Sequence, residues 1–193
     1  MSPPTESLLA QLRTATSDLH RELDQALCLA ENSITHGSYV AFLRGTLSAL
    51  EPIERQLRDF GGTDALSRCA LLRADLDSLN SAAPILPNPD APKIHSLSAA
   101  YGARYVIEGS ALGGAVLARS FEAALRLHGG SLRYLTLHGP QLGAHWRAFC
   151  EELEQFGRSA TPSMHREACA SARAVFKLYY AAFRSTGAIV VSS

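Results

Sequence analysis

The sequence predicts an all-α protein, a single-domain irregular helical bundle. Two observations carry this. Apolar residues recur at intervals of three, four and seven over most of the chain, the spacing that gathers them on one helix face. No segment alternates apolar and polar residues over the length of a strand. With 193 residues, of which 47% are hydrophobic, the chain is long enough to bury one large core. Residues 1–193 are therefore expected to form one domain, with its core over about 6–185 and a flexible C-terminal tail.

Each element has its own signals. Thr5, after Pro3-Pro4, is placed to cap a first helix opening at Glu6. Leu8, Leu12, Leu19, Leu23 and Leu27 form its apolar stripe, and Arg13, Thr16, His20 and Asp24 form a polar stripe beside it. Such a stripe is either a solvent face or the rim of a pocket. Glu31–Ser38 is a polar break. A second helix follows over Tyr39–Phe60, with Pro52 as a kink candidate and Gly61-Gly62 as its stop. Residues 64–80 give a third helix. Four prolines within 84–92 then mark a long loop inside the domain. Ser96 is placed to cap a long helix running to about Leu127, closed by Gly129-Gly130. His145–Gly157 and 162–185 are the last two helices. The first of these puts Trp146 and Phe149 in the core, and the second opens near Pro162.

Composition excludes several function classes. The formal net charge is zero, which gives no electrostatic reason to expect nucleic acid or an anionic membrane as partner. The four cysteines, Cys28, Cys69, Cys150 and Cys169, contain no CxxC pair. They read as reduced thiols of a cytoplasmic protein rather than zinc ligands. MSPPTESLLAQLR lacks the basic region and apolar core expected of a signal peptide, and no apolar run approaches the roughly 18–20 residues of a membrane span. None of the seven histidines has an acid three or four residues before it, so a carboxylate-bridged di-metal bundle is not indicated. HExxH, GxSxG and P-loop motifs are absent.

Residues 101–119 stand out. They are apolar enough for a buried helix, yet contain Gly109, Gly113 and Gly114. Each glycine costs a helix roughly 0.5–1 kcal/mol relative to alanine. Either a second helix packs closely here, or a flat ligand lies against the backbone. His20 bears on the choice, although a histidine with an acid one turn on is also the pattern of an ordinary surface pair. Asp24, one turn on, can accept a hydrogen bond from one ring nitrogen and leave the other for a metal. One histidine holds a free ion poorly, but it can hold an ion whose other ligands come with a porphyrin.

Four stretches then carry a family resemblance. LRTATSDLH (Leu12 to His20) resembles the proximal helix of heme oxygenases, and YVIEGSALGGAVLAR (Tyr105 to Arg119) resembles their distal helix. HWRAFCEELE (His145 to Glu154) and ARAVFKLYYAAF in the last helix are similar in order and spacing. The resemblance covers about residues 6–185 and is nearest the bacterial branch, associated with bacteriophytochromes or with heme-iron acquisition.

It implies a heme oxygenase, for which heme b is substrate and cofactor and is opened to biliverdin, CO and ferrous iron. O2 and an external electron donor are required: a ferredoxin, flavodoxin or flavin reductase. A bacteriophytochrome is a possible biliverdin acceptor. His20 is implied as the axial metal ligand, with Asp24 interacting with it. Arg13, and with looser alignment Arg147, Lys177 and Arg173, are implied near the propionates, and Thr16 near the cofactor. Gly109, Ser110, Gly113 and Gly114 are implied as the distal, catalytic wall. Animal-type members read Gly-Asp-x-Ser-Gly-Gly there. In this chain Ser110 follows Gly109, and Leu112 precedes the glycine pair, so the proton route stays open between water ordered by Ser110 and a Ser110 bonded to its own helix. Arg21, Arg119 and Arg126 are candidates for docking the electron donor. A non-catalytic heme or bilin carrier on the same scaffold, and a helical interaction protein, are the alternative functions.

Overall fold

The computed structural model describes residues 6–27, 34–61, 67–81, 91–126 and 129–189. Among them lie α1 (Leu8–Ala26), α2 (His36–Leu57), α3 (Arg68–Ser78), α4 (Leu97–Leu125), α5 (Leu142–Ser159) and α6 (Pro162–Thr186), with short 3₁₀ turns and no strand. The all-α expectation holds. No helix among these residues is long and apolar enough to cross a membrane.

The helix ends follow local chemistry. Ser96 caps α4 by accepting from the Ala99 N–H, and Thr161 caps α6 ahead of Pro162. Thr5 lies outside the described residues. The side chain that caps α1 is Ser7, accepting from the Ala10 N–H, so the helix opens at Leu8 rather than Glu6. α2 begins within the expected polar break, because Thr35 and Ser38 cap each other reciprocally. It continues through Pro52 to a 3₁₀ turn, and Gly61 at φ +69° ends it. Arg126, at φ 52°, ends α4 ahead of the expected glycine pair. α5 starts three residues before His145, at Leu142. Most of the proline-rich loop, Cys28 and residues 62–66 fall outside the described residues.

α6 packs against α1, α2 and α4. Gly102 sets the closeness of α4: a Cβ there would sit 2.1 Å from the Ala168 carbonyl oxygen. α1 is held at two levels. At its start, a Cβ on Gly157 would meet Leu8 Cβ at 2.8 Å, and Glu154 accepts from the Leu9 N–H at 2.9 Å. Further along, Arg173 donates to the Ala15 carbonyl and pairs with both oxygens of Asp18 at 2.7 and 3.0 Å. The guanidinium holds the Asp18 carboxyl down at about 2.

The segment between α4 and α5 is fixed by buried polar groups. Asp75 on α3 accepts from the backbone N–H groups of Arg133 (3.0 Å) and Tyr134 (2.9 Å), and the Tyr39 hydroxyl donates to the Ser131 carbonyl at 2.6 Å. Burial raises Asp75 from the usual carboxylate range, and those same N–H donors oppose the rise.

Two stability outcomes follow. Gly102→Val forces α4 off the Ala168 backbone, and should destabilise by about 1–3 kcal/mol or more. Asp75→Asn turns one of the two acceptors into a donor facing a backbone donor, and should cost about 1–3 kcal/mol. Urea midpoints against the parent chain measure both; unchanged midpoints would contradict the packing described.

Candidate functional site

A cavity of about 450 Å³ lies between α1 and α4, within the usual range for small-molecule sites. His20, Leu23 and Asp24 of α1 line one side, and Tyr105, Gly109, Ser110, Gly113 and Gly114 of α4 line the other. Its inner end is aromatic: Phe42 and Phe183 stack at 5.4 Å, and Phe176 and Tyr179 of α6 lie on the same lining. An adjoining groove of about 400 Å³ runs along α1 past Arg13, Thr16, Ser17 and Arg21, and shares His20, Asp24 and Tyr105 with the cavity.

His20 stands over the α6 wall, edge-on to Phe176 with ring centroids 5.8 Å apart. Its Nδ1 lies 2.9 Å from Asp24 Oδ2, and its side chain is 62% exposed. With Nδ1–H donating to the carboxylate, the Nε2 lone pair is the ligand atom on offer. Arg13 is exposed at the mouth and forms no ion pair among the described residues. Thr16 is buried, its hydroxyl donating to the Leu12 carbonyl at 2.8 Å, and it faces Tyr105. The polar stripe of α1 is thus a pocket rim along part of its length.

The α4 glycines divide by role. Gly102, which periodicity did not single out, is set against the backbone of another helix, at Ala168 of α6. A Cβ at Gly113 would meet nothing within 4 Å, one at Gly109 would reach the Trp146 ring at 3.7 Å, and one at Gly114 would press on Leu135 Cδ2 at 3.3 Å. The helix is unbroken through all three, so its backbone forms this wall.

Ser110 donates to its own helix, at the Ile107 carbonyl, at 2.7 Å. Its oxygen also faces the Tyr134 hydroxyl. Burial pushes the Tyr134 and Tyr179 phenols up, which leaves both as neutral O–H groups. The Tyr179 hydroxyl is buried with no hydrogen-bond partner among the described residues. Apart from His20 and Asp24, the cavity lining contains no histidine and no acid.

Other expected residues lie elsewhere. Arg147 and Lys177 are exposed and do not line the cavity or the groove. Arg173 is committed to Asp18. Arg21, Arg119 and Arg126 are exposed, and Arg21 lines the groove. Trp146, expected in the core, packs against it only partly buried and also lines the cavity, whereas Phe149 is core. Tyr134 and Tyr179 were not singled out as site residues. The only signal was the shared face of Phe176, Tyr179 and Phe183 on α6. Cys69, Cys150 and Cys169 are free thiols.

Comparison with known proteins places this geometry. The chain is 32% identical over 158 residues to a curated heme oxygenase from Xanthomonas campestris pv. campestris, a match spanning 79% of this chain and 92% of that one. Among solved structures it resembles the NO- and CO-bound heme oxygenase from Neisseria meningitidis, with a TM-score of 0.77 at 24% identity over 97% of this chain and 95% of that one. The heme oxygenase from Leptospira interrogans superposes with a TM-score of 0.72 at 19% identity, over 93% of this chain and all 100% of that one. At these identities the two structures establish the fold. The heme oxygenase family model matches residues 6–185, from ahead of α1 to the last turn of α6, and the chain therefore belongs to the heme oxygenase family.

Proposed function

We propose that the chain binds heme b between α1 and α4 and opens the ring to biliverdin, CO and ferrous iron, using O2 and electrons from an external donor. The observation that carries this is the pairing of His20, oriented by Asp24, with a helical backbone where a Cβ at Gly113 would meet only open space. Side chains on both walls would leave no slot for a planar ring. A histidine without an apolar slot would offer no reason to hold one.

When bound, heme supplies the iron that activates O2 and the ring carbon that is attacked. The protein's part is to bind, orient and exclude water. His20 Nε2 would hold the iron, and Asp24 would fix the ring's tautomer by accepting Nδ1–H. Arg13, with Arg21 beside it in the groove, pairs with the propionates; Thr16 holds Tyr105 at that edge. Exposed Arg147 and Lys177 are left for longer-range attraction. The backbone of Gly109, Gly113 and Gly114 limits the height of the space above the ring. The Tyr134 hydroxyl, facing Ser110 Oγ, is the protic group on that side and would hold a proton there, because the Ser110 hydrogen is given to the Ile107 carbonyl. Apart from His20 and Asp24 the described lining has no histidine and no acid, so an O–O bond there would have no strong acid beside it to promote its cleavage. Ferredoxin, flavodoxin or a flavin reductase as donor, a bacteriophytochrome as biliverdin acceptor, and the cytoplasm as location complete the reading.

Aerobic reconstitution with hemin and ascorbate tests it. Loss of the Soret band with rising bilin absorbance is expected. A stable Soret band would instead identify a carrier, and failure to bind hemin would leave a helical interaction protein. His20→Ala removes a largely exposed side chain, so the fold should stay intact while the heme spectrum shifts and turnover is lost. Asp24→Ala should weaken hemin binding or turnover by about 10–100-fold. Gly113→Leu should move stability and activity in opposite directions. The helix gains up to about 1 kcal/mol of propensity, while the new side chain fills the slot. A higher melting temperature with undiminished turnover would sink the wall assignment.

A further inference from the structure

Outside the cavity, Glu108, His138 and His145 bring one carboxylate and two imidazoles to one point, with a ligand atom from each within 4.8 Å of the others. They come from three separate parts of the chain: α4, the segment ahead of α5, and α5 itself. Glu108 is buried, and its Oε2 lies 2.7 Å from His145 Nε2 and 2.7 Å from the Arg68 guanidinium. The two imidazoles stack with centroids 3.8 Å apart and planes 19° from parallel.

We infer that Glu108, His138 and His145 form a binding site for a divalent transition-metal cation. Two imidazoles and a carboxylate are the donor set that suits ferrous iron and zinc. A carboxylate has about four lone-pair positions, so Glu108 can keep its Arg68 contact while ligating. His145 is 28% exposed, which gives the ion a path from solvent and leaves positions for water. Arg68 offsets the charge of Glu108, so the ion is held less tightly than by an uncompensated carboxylate. That suits an ion in transit rather than a structural one.

One source of such an ion is the ring opening proposed above. Glu108 and His145 are the chain neighbours of Gly109 and Trp146 of the cavity lining, so the cluster lies beside the slot from which ferrous iron would leave. That assignment of the cargo rests on the heme oxygenase reading; the metal site itself does not.

Titration of Co²⁺ into the heme-free full-length chain tests the site, read by visible d–d absorption. One equivalent should bind, be displaced by Zn²⁺, and be lost in His145→Gln and in His138→Ala. The glutamine can still donate to Glu108, so His145→Gln should keep the parent melting temperature. No binding, or binding unchanged in both variants, overturns the proposal. A single turnover with a ferrous chelator identifies the source. Faster iron capture in His145→Gln at an unchanged rate of biliverdin formation assigns ferrous iron. Equal capture rates overturn that assignment and leave an ambient cation such as zinc. Absence of biliverdin in the parent chain would reject the heme reading without touching the Co²⁺ result.

Discussion

The close approach of α4 to α6 at Gly102 is the constraint on which the remaining geometry depends. A carbonyl oxygen occupies the place of a side chain there, so the helix axis is set by contact between backbones. Gly109 and Gly113 lie seven and eleven residues farther along the same helix, on the order of 10–16 Å at 1.5 Å per residue. At Gly113 the same residue type does the opposite, leaving space rather than filling it. A helix clamped near its start and bare at Gly113, in its middle, gives a wall whose position does not depend on rotamers. α1 is fixed by equivalent means, through Gly157 against Leu8 and Arg173 against Asp18 and the Ala15 carbonyl. The slot is the interval between two helices that are each pinned elsewhere.

Within the slot, polarity is sorted by depth. Phe42, Tyr179 and Phe183 are buried, whereas Arg13, His20 and Asp24 are exposed at the rim. The protic groups on the glycine side, Ser110 and Tyr134, are hydroxyls rather than acids. Burial raises the phenol further from ionisation, so it can donate a hydrogen bond without introducing a charge. Asp75 supports this from a distance: by accepting two successive backbone N–H groups it fixes where Tyr134 and Leu135 stand.

Much of this was legible in the sequence because it is local. Ser96 and Pro162 mark helix starts by chemistry that acts over three residues, and the His20–Asp24 pair is one helical turn. The glycine wall was legible as a cost requiring a reason. What periodicity could not supply was which surface each residue meets. Gly102 and Gly113 look alike in sequence, yet only the position of Ala168 makes one a helix contact. Trp146 has the spacing of a core residue, and its ring reaches Gly109 because α5 crosses there. Arg147 and Lys177 sit at plausible spacings on helices whose rotation turns them to solvent. The Glu108–His138–His145 cluster joins three segments with no shared spacing, so no motif search over one helix would assemble it.

The sorting of polarity also limits how a planar ring with two carboxylates on one edge can enter. Placed inward, those carboxylates would lie against Phe42 and Phe183, where the described lining provides no cation. Burying an unpaired carboxylate costs at least several kcal/mol. Placed outward, they meet Arg13 and the groove lined by Arg21, at the edge where solvent screens what the arginines do not neutralise. Each exposed pair contributes only about 0–1 kcal/mol. The aromatic end therefore sets the direction of entry more strongly than the arginines do. The arginines could bias only the finer placement of such a ring.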